Sequence, residues 1–338
     1  PNVWLLYLVM LGLLPAFATR PGQVPALYLF ALLLLPALDQ SVVLGSIKLC
    51  EFGIHDALAL GGGYALWRHP TWRTRRRITL DLPFIVLLLV LVFIGARGTS
   101  VTNLLRTVLN LGMDYGLPFY IISRGVRSRD DLRLCMLHLA GAATILSVIL
   151  LYEARSFWPM YNELYSRYGV EAQLLIKARG GIMRAGGPFL ESTSMAMALS
   201  FCFLAAWLSQ SAFRSQLHHL GVLAMVGVGL LVPQSRGAWI GLLIGMAVVD
   251  LYRRRPDRLV LRTLVVGCAG AVLLVLAQTS ADLSESLGMS GGSTETADYR
   301  RALLDRGTEE FWHRPLLGYS MPELAERLAD LRQGEGII

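Results

Sequence analysis

The chain has 338 residues, of which 54% are hydrophobic and only 16% charged, with a formal net charge of +7. A soluble globular domain carries about a quarter charged residues, so these proportions exclude an ordinary soluble enzyme and point to a chain built for lipid. The four cysteines, Cys50, Cys135, Cys202 and Cys268, lie in separate apolar runs without a CxxC pair. That pattern reads as buried thiols rather than a disulfide framework or a metal site. No HExxH, P-loop or GxGxxG motif is present.

In chain order, the apolar runs predict an all-α, polytopic membrane protein with about ten spans, near 3–18, 24–38, 42–66, 81–96, 101–123, 134–152, 191–209, 218–233, 237–251 and 260–280. Three loops are strongly basic: "WRHPTWRTRRR" (67–77), "SRGVRSRDDLR" (123–133) and "YRRRPDR" (252–258). With ten spans all three fall on one side, as does the weaker "FRSQLHH" (213–219), and the positive-inside rule makes that side cytoplasmic. The basic balance is therefore read as an orientation signal and not as a footprint for nucleic acid. The opposite side, periplasmic in a bacterium, receives a loop at 153–190, a long segment at 281–338 and the tight link that carries Arg236. The expected organisation is a transmembrane bundle over 1–280 with an outer loop at 153–190, followed by a large periplasmic loop over 281–338. Pro1 at the start and an end in mid-loop at Ile338 suggest a piece of a longer protein, and no cleavable signal is visible.

Within the third run, Lys48, Glu51 and His55 are spaced i, i+3 and i+7 and are expected to share a helical face, with Asp56 and Asp114 adding to it. Interior ion pairing and a proton or ion path are the two readings of such a stripe.

The outer face gathers the remaining motifs. The first loop opens with aromatics, Phe157, Trp158, Tyr161, Tyr165 and Tyr168, suited to a headgroup belt or to stacking on sugar rings. It continues with Lys177, Arg179 and Arg184 among glycines, and "RAGGPF" (184–189) holds Arg184 at a helix entrance. In "QSRGAWIG" (234–241), Gln234, Ser235 and Arg236 open a helix and Trp239 reads as an interface anchor. Arginine near hydrocarbon is costly and faces a cavity, a partner or a headgroup. Its guanidinium holds phosphate in a two-pronged fork. In the last segment, Thr296 to Trp312 reads as an amphipathic helix with Tyr299, Leu303, Leu304 and Phe311 on its apolar side, Gly307 beside them, and Pro315 ending it. Arg300 sits one turn before Leu304, beside the apolar side, with Arg301 next to it.

"RAGGPF", "PQSRGAWIGLLIG" and "DYRRALLDRGTEEFWHRPLLGYS", in that order and layout, resemble the O-antigen ligase and polysaccharide polymerase superfamily over about residues 81–320. The resemblance implies a largely helical enzyme of the bacterial inner membrane with its active site on the periplasmic face. It implies transfer of a glycan from a polyprenyl diphosphate carrier to an acceptor, either another glycan or lipid A core, without metal or cofactor. It further implies that Arg184, Arg236 and Arg300 engage the carrier's diphosphate. Arg179, Arg301 and Trp239 are candidate substrate-binding neighbours. Glu191 and His313 are the local candidates for a base. Two departures stand out: "LESTS" follows "GPF" where the family favours a Pro-Asn stretch, and the family's His- or Asn-bearing segment after the large loop falls beyond Ile338. The reading from a different class is a transporter or flippase of lipid-linked sugars, with the Lys48, Glu51 and His55 stripe as its coupling path. No internal repeat supports it.

Overall fold

The computed structural model describes residues 2–45, 47–69, 78–97, 99–169, 178–179, 181–254, 257, 260, 264, 292–315 and 318–327. It is predominantly helical. The elements are α1 (Val3–Phe17), α2 (Gln23–Leu34), β1 (Asp39–Leu44), β2 (Ile47–Gly53), α3 (Ile54–Trp67), α4 (Asp81–Ala96), α5 (Val101–Leu111), α6 (Leu117–Gly125), α7 (Arg129–Ser156), α8 (Met160–Tyr168), β3 (Ala178–Arg179), β4 (Ile182–Met183), α9 (Ser192–Leu208), α10 (Gln216–Leu231), α11 (Arg236–Tyr252), α12 (Gly292–His313) and α13 (Met321–Arg327).

Three expectations need correction. The chain is not all-α, because β1 pairs with β2 and β3 pairs with β4. The run at 42–66 is also not one helix: its first part is the β1–β2 hairpin, and α3 begins only at Ile54. The local chemistry explains it. Val42 and Val43 precede Gly45-Ser46, and Ile47 follows; β-branched residues around a Gly-X turn favour a hairpin over a helix. The Lys48, Glu51 and His55 stripe therefore has no common helical face. Lys48 Nζ pairs with Glu51 Oε1 at 2.6 Å on β2, whereas the His55 Nε2 bonds the Leu35 carbonyl at 3.0 Å. With the stripe goes the coupling path of the transporter reading. The stretch 101–123 is likewise divided, into α5 and α6 around a π-helical turn at Gly112–Gly116. The tenth run, 260–280, lies almost wholly outside the described residues.

Among the described residues, α7 is long and apolar enough by itself to cross a bilayer, and α1, α2, α4, α9 and α10 are shorter apolar helices. Many apolar side chains of these helices face outward, such as Leu5 and Leu8 of α1 and Leu82 and Leu89 of α4, and α4 buries none of its residues. Contiguous apolar surface of that kind marks a membrane-facing or partner-facing wall.

The chain divides into two compact units. The first, residues 1–40, 52–76 and 113–287, contains the helical bundle. Its central helix, α7, packs against α2, α9 and α10, and α11 packs on α9. Leu146, Leu150, Met195, Leu199 and Val226 meet in its core. Close approach there depends on small residues: Gly229 of α10 lies directly against Ser147 of α7, leaving no space for a Cβ. A second cluster joins α1, α2, α3 and α6 through Leu14, Tyr28, Leu58 and Ile121.

The second unit, residues 41–51, 77–112 and 288–338, holds α4 packed on α5 together with α12 and α13. The observed α12 contains the amphipathic stretch expected at Thr296–Trp312 and ends before Pro315. A polar clasp joins it to α13. Glu310 is buried and accepts from Arg327 at 2.8 Å, with Arg306 at 3.6 Å. Against the raising effect of its burial, hydrogen bonds from Tyr319 and Arg327 and the charges of Arg327 and Arg306 hold the Glu310 carboxyl below its ordinary range. The Tyr319 ring has Arg314 at 4.8 Å and Arg327 at 4.3 Å from its centre. The "GYS" that follows α12 is thus a packing element.

Candidate functional site

At one end of the bundle in the first unit, three chain reversals come together: the exit of α7, the turn before α9 and the link between α10 and α11. Each is built by residues with special backbone requirements. Helix α7 ends at Phe157, which takes φ 54 and caps the helix in the left-handed region. The loop then forms α8 and the small β3–β4 hairpin, with Ala178 opposite Met183 and Arg179 opposite Ile182.

"RAGGPF" follows directly. Both of its glycines are required, for different reasons. A Cβ on Gly186 would lie 2.6 Å from the Leu190 backbone, and Gly187 has φ +53, which side-chain-bearing residues avoid. Gly187, Pro188 and Phe189 form one 3₁₀ turn. The Tyr165 hydroxyl donates to the Pro188 carbonyl at 3.5 Å. The aromatics of the loop are therefore divided. Tyr161 and Tyr165 are buried, the former donating to the Leu34 carbonyl at 3.0 Å, while Phe157 and Trp158 stay exposed.

The link between α10 and α11 is equally constrained. Gln234 is buried with φ 52, and its Nε2 donates to the Arg179 carbonyl at 3.4 Å. Its Oε1 finds no donor among the described residues. A strained, incompletely satisfied residue of this kind is characteristic of functional sites. Ser235 is buried at the N-cap of α11 but makes no side-chain cap bond, so the first N–H groups of that helix have no side-chain acceptor there. Arg236 is the first residue of α11 and is exposed. The Ser200 hydroxyl of α9 donates to the Ala238 carbonyl at 3.1 Å, fixing the first turn of α11 on the bundle.

The two arginine motifs, 52 positions apart in the chain, are joined here. The Arg184 Nε donates to the Pro233 carbonyl at 3.0 Å, three residues before Arg236. Arg179 belongs to the same cluster through its carbonyl. The resulting site has an exposed guanidinium, a second, half-buried one, and the positive start of a helix. That combination suits an anion, phosphate above all. Trp239 is a tie rather than an outward anchor: its indole N–H donates to the Leu230 carbonyl at 3.0 Å and locks the end of α10 to the start of α11. Glu191 caps α9, its Oε2 accepting from the Ser194 N–H at 2.7 Å and the Ser194 hydroxyl at 2.8 Å.

The remaining candidates lie in the second unit. Arg300 and Arg301 are on α12, with Arg301 exposed. His313 ends that helix, and its Nδ1 bonds the Glu309 carbonyl at 2.8 Å. A carbonyl only accepts, so Nδ1 is the donor in that bond, and it is Nε2 that carries the lone pair when the ring is neutral. Lys177 lies outside the described residues. Among the described residues no group of three or more His, Cys, Asp or Glu is arranged to hold a metal ion.

The residue that inspection of the sequence missed is Glu153. It follows the apolar run 134–152 and opens the outer loop at 153–190. The structure buries it at 1% exposure, between the exit of α7 and the "GPF" turn. No local signal distinguishes it, because its partners are backbone N–H groups that any sequence possesses.

Residues 220–336 match the family described as O-antigen ligase. The matched stretch contains Arg236, Trp239, Arg300, Arg301 and His313, and stops short of Arg179, Arg184 and Glu191. No curated protein and no solved structure matches the chain.

Proposed function

Because residues 220–336 match the family described as O-antigen ligase, we propose that the chain is a membrane glycosyltransferase of surface polysaccharide assembly, moving a glycan from a polyprenyl diphosphate carrier to an acceptor sugar. The observation that carries this reading is the bond from Arg184 to the Pro233 carbonyl, which brings two arginine motifs to one end of the bundle. Breaking the bond between sugar and diphosphate leaves negative charge on the departing phosphate. Fixed cations and helix N–H groups near that charge stabilise the transition state more than the ground state. In this reading Arg236 and the start of α11 take the diphosphate and Arg184 holds the link that presents them, while Arg300 on α12 is a further candidate cation for phosphate. The acceptor hydroxyl needs a base. His313, whose Nδ1 is engaged by the Glu309 carbonyl, and Glu191, whose carboxylate is engaged as a cap, are the candidates.

The direct test supplies purified protein in nanodiscs with a lipid-linked glycan donor and two acceptors, lipid A core and a second lipid-linked glycan. Transfer to the first makes the protein a ligase and to the second a polymerase; transfer to neither refutes the glycosyltransferase reading. Arginine meets the diphosphate charge without a metal bridge, so transfer is expected to survive EDTA. Loss on chelation, restored by magnesium or manganese, would falsify the arginine mechanism.

The reading also requires the site to face the periplasm of the bacterial inner membrane, within a ten-span layout. Helix α7 offers the simplest check, since its first turn lies within the basic segment 123–133 and Trp158 follows its far end. In intact cells an impermeant thiol reagent is expected to label Trp158→Cys and to label Arg133→Cys only after lysis. The reverse pattern inverts the topology and removes the periplasmic site.

A further inference from the structure

We infer that Glu153 is a positioning residue for the arginine-bearing turn: its buried carboxylate fixes Gly187 and through it the place of Arg184, a role that rests on Arg184 holding the α10–α11 link as proposed above. A carboxylate enclosed in a bundle is costly unless its oxygens are met, and here each oxygen has its own donor. Oε1 accepts the Met160 N–H at 2.9 Å and Oε2 accepts the Gly187 N–H at 3.2 Å. The main-chain carbonyl of the same residue takes the Trp158 N–H at 3.2 Å. One residue therefore ties together the exit of α7, the first turn of α8 and the "GPF" turn. Neither oxygen is open to solvent, so Glu153 cannot touch a glycan or a phosphate and acts only through what it holds.

What it holds leads directly to the site. Between Arg184 and Gly187 stand Ala185, fully buried, and Gly186, pressed on the Leu190 backbone. Neither gives slack. With Gly187 fixed at one end and the Pro233 carbonyl engaged at the other, the Arg184 side chain has a defined place. The demand on position 153 is also chemically narrow. Both partners are N–H donors, so both side-chain atoms must accept. A glutamine of the same shape must turn its NH₂ toward one of them, losing a bond and opposing two donors.

The test uses the full chain in nanodiscs with Ala185→Cys as a reporter, and the parent chain subtracts labelling of native thiols. Glu153→Gln is expected to raise maleimide labelling at position 185 by about tenfold, because the turn opens, and to lower glycan transfer about 10- to 100-fold, the scale of a small misplacement of a binding group. Adding Arg184→Ala to Glu153→Gln is expected to cost almost nothing further, since Arg184 is already out of place. Unchanged labelling overturns the clamp. Raised labelling with full transfer, or Arg184→Ala multiplying the loss, overturns the positioning role. Full transfer by Arg184→Ala alone overturns instead the link-holding role of Arg184 on which this one rests. If Glu153→Gln does not accumulate, Glu153→Asp carries the same readouts: it keeps the charge but, one methylene shorter, reaches only one of the two donors.

Discussion

Arg236→Ala is expected to abolish glycan transfer while the protein remains inserted and abundant. The side chain is exposed at the first position of α11, so its removal empties no core. What it removes is the cation beside uncapped N–H groups at a helix start. Deleting one donor that meets developing negative charge costs about 10²–10³ in rate in well-studied enzymes, and Arg236 supplies two such donors in one fork. Arg236→Lys is expected to recover only part of the loss, because a point charge cannot make the two parallel bonds. The pair of variants also separates function from lipid anchoring. Lysine snorkels to a headgroup nearly as well as arginine, so a mere anchor would lose little in Arg236→Lys. Initial rates with a lipid-linked donor decide the matter, and transfer by Arg236→Ala near the wild-type rate would sink the mechanism.

Arg184→Ala is expected to lower transfer at least about tenfold and to do so through Arg236. The Arg184 Nε bond holds the Pro233 carbonyl, and the next residue, Gln234, is kept in the left-handed region by its surroundings. Such a residue costs about 1–3 kcal/mol and persists only while neighbours over-determine it. Without Arg184 the link can relax, and the fork of Arg236 loses its aim. The two positions should therefore be coupled, and residues in one network typically show interaction energies of about 0.5–3 kcal/mol. A cycle built on Arg184→Ala and Arg236→Lys, both retaining measurable transfer, gives the number. The double variant is expected to lose less than the product of the single losses; strict multiplication would mean that the two arginines act independently.

Both expectations join features that were legible in the sequence to features that were not. The helices were legible because long apolar runs carry their own periodicity, and the end of α12 before Pro315 because proline excludes a continuing helix locally. The glycine pair of "RAGGPF" was legible as a tight turn, for the same local reason. The β1–β2 hairpin was masked by the hydrophobicity of its surroundings, although Gly45-Ser46 between β-branched residues was there to be read.

By itself, the sequence pointed to a membrane protein, showed where most of its helices lie, and placed Arg184 and Arg236 each at a constrained reversal, because apolar length, backbone strain and the cost of a guanidinium near hydrocarbon all act over a few neighbouring residues. Only the tertiary structure decided that the two arginines share one end of the bundle, that Tyr161 and Tyr165 turn inward while Trp158 does not, and that Glu153 is buried as the tie between α7 and the glycine turn. Those facts rest on hydrogen bonds to main-chain groups 34 to 127 positions away. A backbone carbonyl or N–H is the same in every residue, so nothing in the string of side chains marks which one will be the partner.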